Sequence, residues 1–155
     1  MVCNCSIVLV RGVEGDRELW EAYRIERESF REPYAFWYFR LLYMMSGGLF
    51  LGGFNSDGFL VGYVVALQRI GGVCHVVSIA VRPECRGKGN GHVLLASIEE
   101  ACRLEGARGV MLEVDAYNWP AQRLYLAHGY RYAVFLPDYY GPGRPAILMV
   151  KVLEG

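Results

Sequence analysis

Apolar positions change their period several times along this chain, and each change marks an element. Ser6 to Val10 reads as a short first strand, ended by Gly12 and Gly15. Leu19, Trp20, Tyr23, Ile25 and Phe30 then recur at helical spacing, with Asp16 placed to cap that helix and Pro33 to close it. A second helix, from Ala35 to Met45, sits in an aromatic run of Tyr34, Phe36, Trp37, Tyr38, Phe39 and Tyr43. That is more large rings than one buried stripe takes, so the remainder is expected to line a groove. Leu49 to Phe54, Phe59 to Gln68 and Val73 to Val81 are punctuated by Asn55-Ser56-Asp57-Gly58 and Gly71-Gly72, which predicts three antiparallel strands.

Helical spacing returns from Val93 to Glu105, and Val110 to Val114 is a strand carrying one acid, Glu113. Asn118 caps the next helix, with Pro120 in its first turn and Gly129 past its end. Tyr130 to Leu136 and Ala146 to Val152 alternate as two last strands. The order β-α-α-β-β-β-α-β-α-β-β predicts a mixed α/β fold, in a single domain over residues 1–155.

Between the Val73–Val81 strand and the helix that follows lies Val81-Arg-Pro-Glu-Cys-Arg-Gly-Lys-Gly-Asn-Gly91. Gly87, Gly89 and Gly91 alternate there, allowing backbone N–H groups to turn to one side and an anion to approach a helix start. A nucleotide P-loop is excluded, because Lys88 precedes its glycine and no Ser or Thr follows; the spacing is also wrong for a dinucleotide fingerprint.

Charge narrows the partners. Sixteen basic residues balance 16 acidic ones, which leaves no electrostatic footprint for nucleic acid or an anionic membrane and points to a small or peptide-like substrate. The first residues lack a basic region before a short apolar run, and no apolar stretch is long enough to span a bilayer, so a soluble, cytosolic protein is expected. Five cysteines at irregular spacing are expected to be reduced thiols. Cys3-x-Cys5 lacks a second ligand pair, and no metal is expected.

Arg86-x-x-Gly89-x-Gly91 resembles the pyrophosphate loop of the GNAT acyl-CoA N-acyltransferases. The likeness extends to His75-Val-Val-Ser-Ile-Ala-Val81, to Leu112-Glu113-Val114, and to Asn118-x-x-Ala121-x-x-Leu124-Tyr125-x-x-x-Gly129-Tyr130. Glu32-Pro33-Tyr34 and Tyr139-Tyr140-Gly141-x-Gly143-x-x-Ala146-x-x-Met149 are similar to elements of the peptide Nα-acetyltransferases, both the ribosomal-protein alanine enzymes and the archaeal and eukaryotic ones. Arg144 and Pro145 stand where that branch usually carries an acidic pair.

The resemblance implies a GNAT fold, a mostly antiparallel sheet of about seven strands with four helices and a strand-loop-helix acyl-CoA site. It implies acetyl-CoA as donor, direct transfer in a ternary complex, and a protein or peptide N-terminus as acceptor, a ribosomal protein among the options. Backbone of Ile79, Ala80 and Val81, the loop Arg86, Gly87, Lys88, Gly89, Asn90 and Gly91, and the Asn118 side chain would hold the coenzyme. Glu113 would be the base, its pKa raised by burial, and Tyr125 the acid, with Glu32 a reserve base. Glu32, Tyr34, His75, Tyr139 and Tyr140 would bind the acceptor. Read residue by residue, Glu113 equally suits a salt bridge, and Tyr125 and His75 equally suit core packing. Cys85 has no Cys-His-acid arrangement, so no acyl-enzyme is expected. A GNAT enzyme for small amines or protein lysines, and a non-catalytic acyl-CoA-binding regulatory domain, remain as alternatives. A monomer or weak homo-oligomer is expected.

Overall fold

A computed structural model describes residues 4–154. In chain order it contains β1 (Leu9–Gly12), α1 (Gly15–Ser29), α2 (Phe36–Met45), β2 (Phe50–Phe54), β3 (Leu60–Arg69) and β4 (Val73–Val81). After a 3-10 turn at Pro83–Cys85 follow α3 (Asn90–Leu104), β5 (Gly109–Asp115), α4 (Trp119–Ala127), β6 (Arg131–Leu136) and β7 (Ala146–Val152). The strands form one seven-stranded sheet in the order β1-β2-β3-β4-β5-β7-β6, in which only the β4–β5 pair is parallel.

Two hydrophobic clusters sandwich the sheet. α1 and α2 contribute Leu19, Ala22, Tyr23, Ile25, Phe39 and Leu42 to one, while α3 and α4 contribute Leu94, Leu95, Ile98, Cys102 and Tyr125 to the other. Coverage on both faces explains why Leu60 to Leu67 of β3 is buried at every position rather than at alternate ones. Strand β4 keeps the alternation of a half-covered strand.

Most predicted boundaries hold to within a residue or two. The first strand is later than predicted: Leu9 to Gly12 pairs with Phe54 to Leu51 across the sheet edge. Asp16 lies in the first turn of α1 rather than at its cap; the Glu14 N–H there is taken by the Glu18 carboxylate at 2.8 Å, which also pairs with Arg11. On α2, Phe39 and Leu42 enter the core while Trp37 is exposed.

The expectation of reduced thiols is overturned at one pair. Cys5 and Cys85 form a disulfide across a sequence separation of 80 residues, a proximity that linear spacing does not reveal. Asn90, 5% exposed, reinforces the junction by donating from Nδ2 to the Cys5 and Cys85 carbonyls at 2.7 and 3.2 Å. Cys74 and Cys102 are free and buried, and Cys3 of the Cys3-x-Cys5 pair lies outside the described residues. Among the described residues, no helix is long and apolar enough to cross a membrane.

Candidate active site

The parallel pairing of β4 with β5 is short. It joins Val73, Cys74 and His75 to Gly109, Val110 and Met111. Beyond that point each strand keeps its outer partner: β4 stays paired with β3 as far as Val81, and β5 with β7 as far as Asp115, while their facing edges part. A cleft of about 730 Å³ opens there, lined by Val76, Val77, Ser78 and Ile79 on one side and Leu112, Glu113, Val114 and Asp115 on the other. Strand β4 is irregular at the same place, since Val65 pairs with Ser78 and Ala66 with Val76, leaving Val77 as an extra residue. A bulge beside a splayed edge presents backbone groups to a ligand rather than to a neighbouring strand. Of the predicted backbone trio, Ile79 lines the cleft, whereas Ala80 and Val81 are buried opposite Tyr63 and Gly62.

The glycine loop leads into the start of α3, where first-turn N–H groups lack intrahelical partners. Gly87 and Gly89 have φ of 72° and 86°, the left-handed region that favours glycine, and a Cβ at either would meet nothing within 4 Å. Gly91 serves differently: it lies inside α3, and a Cβ there would come within 3.1 Å of Leu124 on α4. Arg86 is folded back, with Nε donating to the Val81 carbonyl at 3.1 Å and Nη2 to Ser29 Oγ at 2.9 Å. Lys88 is exposed, and the Asn90 side chain is committed to the disulfide junction. Open space, unpaired helix-start donors and exposed Lys88 fit a diphosphate-bearing coenzyme.

Glu113 stands on β5 facing the cleft. Its Oε2 lies 2.6 Å from His75 Nε2, and His75 Nδ1 lies 2.9 Å from an Arg69 nitrogen. A guanidinium only donates, so Nδ1 accepts and the hydrogen on Nε2 points at Glu113. Burial pushes the Glu113 carboxyl up, but hydrogen bonds from His75, its own backbone N–H and Tyr139 prevail and hold it below the usual carboxylate range. The expected upward shift is therefore reversed. His75 stands behind Glu113 rather than in the cleft lining.

Tyr125 on α4 lines the cleft from the other side, and burial pushes its phenol up to about 12, so it keeps its proton at neutral pH. Asn118 caps α4, accepting from the Ala121 N–H at 3.2 Å, and also lines the cleft. Two loops cover the far end. The α1–α2 loop brings Glu32 and Tyr34, the β6–β7 loop brings Tyr139, Tyr140 and Arg144, and Arg144 Nη1 meets Glu32 Oε1 at 2.8 Å across the mouth. Burial and nearby carboxylates hold the phenols of Tyr34, Tyr139 and Tyr140 above their ordinary value.

Residues 18–130 match the acetyltransferase (GNAT) family. The chain belongs to that family. An uncharacterised N-acetyltransferase of Methanocaldococcus jannaschii is 38% identical over 128 residues, covering 82% of this chain and 81% of that one. An N-alpha-acetyltransferase of Saccharolobus solfataricus is 32% identical over 145 residues, covering 84% of each. In fold, Ard1 from Thermoplasma volcanium superimposes with a TM-score of 0.88 at 24% identity, over 95% of this chain and 98% of that one.

In this GNAT acetyltransferase the structure brings Glu113, Tyr125, Tyr34, Tyr139, Tyr140, Asn118 and Ile79 around one cleft, with Glu32 at its rim. Sequence reading missed two neighbours. Glu26 of α1, 2% exposed, accepts from the Tyr63 hydroxyl at 2.5 Å, from Ser78 Oγ at 3.0 Å and from the Tyr34 N–H at 3.1 Å. Ile25-Glu26 on the apolar stripe of a helix was the available signal, since buried acids need partners. Arg69, which sets the His75 tautomer, carried none.

Proposed function

We propose that this GNAT acetyltransferase moves the acetyl group of acetyl-CoA to the N-terminal α-amine of a protein or peptide, by direct attack in a ternary complex. The observation that carries the reading is the covered end of the cleft. Three tyrosines and the Glu32–Arg144 pair gather at the end of the cleft that holds Glu113, a setting that suits a chain end. The likeness to an archaeal N-alpha-acetyltransferase supports it.

Backbone N–H groups at the Val77 bulge and Ile79 would hold the thioester carbonyl and the negative charge that grows on it, a reading the register shift beside the cleft supports. The Gly87–Gly91 segment and the start of α3 would hold the diphosphate, and Asn118 the arm between. A carboxylate held low in pKa is a weak final proton acceptor but a good partner for an ammonium. Glu113 therefore draws in the cationic N-terminus and passes its proton on through water.

The energetics favour an α-amine. With a pKa of ~7.8 it is roughly 14% neutral at pH 7 and costs about 1.2 kcal/mol to deprotonate, against about 4.6 kcal/mol for a lysine near 10.4. Tyr125, protonated and facing the cleft, supplies the hydrogen to the departing thiolate. The test offers two matched peptides, one with a free N-terminus and no lysine, the other N-terminally blocked with an internal lysine. Faster acetylation of the first is expected; faster acetylation of the second would overturn the reading in favour of a lysine enzyme.

A further inference from the structure

Glu26 lies deeper than the groups assigned to chemistry. It sits on α1, on the opposite side of the cleft from β5, and its carboxyl group acts as an acceptor at both oxygens. Oε1 takes the Tyr63 hydroxyl from β3 and the Ser78 hydroxyl from β4, which are themselves 2.9 Å apart. Oε2 takes the backbone N–H of Tyr34 in the α1–α2 loop. Tyr63 is fully buried, and burial together with the neighbouring Glu26 drives its phenol well above its ordinary value, so the hydrogen stays on Tyr63.

Each of these partners has a definite place in the site. Ser78 borders the bulge at Val77, where the acyl group is to be held, and Tyr34 belongs to the loop that covers the acceptor. A main-chain N–H is a rigid handle: fixing it fixes the loop rather than one rotamer. One side chain thus sets the distance between the acyl-holding strand and the acceptor-holding loop.

We propose that Glu26 is a positioning residue for acetyl transfer, a bracket that registers the acceptor loop at Tyr34 against the β4 bulge at Ser78. The inference rests on the reading of the two ends of the cleft given above. Its requirement is for hydrogen-bond acceptance and shape, not for a proton carrier. A glutamine can meet it: its carbonyl accepts from Tyr34 N–H while its NH₂ group donates to the Tyr63 and Ser78 oxygens, both of which can turn to accept. An alanine cannot: it takes the acceptor from the Tyr34 N–H and leaves the Tyr63 and Ser78 hydroxyls to each other alone.

The experiment measures steady-state kinetics for Glu26→Ala, Glu26→Gln and Tyr63→Phe, with acetyl-CoA and the amine that the unaltered protein acetylates fastest. Glu26→Ala should lower kcat/KM for the acceptor by about 10²-fold, the cost of misplacing reacting groups by about an ångström, with little change in KM for acetyl-CoA. Glu26→Gln should restore most of the loss and leave the pH profile of kcat/KM unmoved. Tyr63→Phe, which keeps the ring and removes one donor, should fall between.

Unchanged acceptor kinetics in a folded Glu26→Ala protein would overturn the bracket. So would a Glu26→Gln protein as inactive as the alanine variant, since that outcome makes Glu26 a proton carrier. Should the alanine variant fail to fold, unaltered acceptor kinetics in Tyr63→Phe decides against the proposal. Because the amine is whichever the protein prefers, a preference for lysine would refute the proposed acceptor while the bracket is still judged by its own variants.

Discussion

Reducing the Cys5–Cys85 disulfide should lower stability far more than it disturbs the site. The cross-link closes a loop spanning a sequence separation of 80 residues. The chain-entropy relation for a loop of that size gives about 15 cal/mol/K, or about 4.5 kcal/mol at 25 °C, as the stabilisation lost when the unfolded chain is freed. For a protein of this length each kcal/mol moves the midpoint by roughly 2–4 °C, so Tm should fall by roughly 9–18 °C. The native junction should survive reduction, because Asn90 still donates to both the Cys5 and Cys85 carbonyls.

The assay compares melting by calorimetry with and without a phosphine reductant, with the redox state read by intact mass, and includes Cys5→Ser as a genetic equivalent. Cys5→Ser under oxidising conditions should melt with the reduced parent. The coenzyme affinity of both should stay near that of the oxidised protein. A fully reduced protein that melts within a degree or two of the oxidised one would refute the entropic argument. Loss of coenzyme affinity at unchanged Tm would show instead that the link acts on the native loop.

Gly89→Asp would put a side chain in a left-handed conformation and a negative charge at the start of α3, so coenzyme affinity measured by calorimetry should drop at least tenfold; unchanged affinity would remove the loop from the binding site. Glu113→Gln and Tyr125→Phe should each reduce kcat by ~10²–10⁴-fold with coenzyme binding nearly intact, and near-normal turnover in both would place the proton transfers elsewhere. The depressed pKa of Glu113 means that its ionised form is favoured by folding. Its contribution is present above the unfolded carboxylate value near ~4.3 and is lost as pH falls through the lower folded value, so the stability gap between parent and Glu113→Gln should narrow on acidification; a constant gap from neutral to strongly acid pH would contradict it.

How far the sequence spoke depended on whether the signal was local. Strand and helix periods, Asn118 as a cap and the positive-φ requirement at Gly87 and Gly89 are all set by near neighbours, and were legible. Long-range pairings were not. Cys5 meets Cys85, Glu26 meets Tyr63 and Ser78, and Arg69 meets His75 only because the sheet brings distant segments together. The direction of the Glu113 shift went wrong for that reason: burial was foreseeable from an acid in an apolar strand, but the donors that outweigh it come from β4 and the β6–β7 loop. Gly91 reads the same as its two neighbours in sequence, yet it is small because α4 passes close by.

The parallel seam between β4 and β5, three residue pairs long, has a mechanical meaning. On either side of it the sheet is held by long antiparallel ladders, and the cluster formed with α3 and α4 runs beneath both of them. The wedge between β4 and β5 is thus closed at one end by three residue pairs and open at the other, so its width is set by the strands' divergence and by the packing beneath them. Amide exchange at Gly109 to Met111, paired on both edges, should accordingly be slower than at Leu112 to Asp115, whose β4-facing edge borders the cleft.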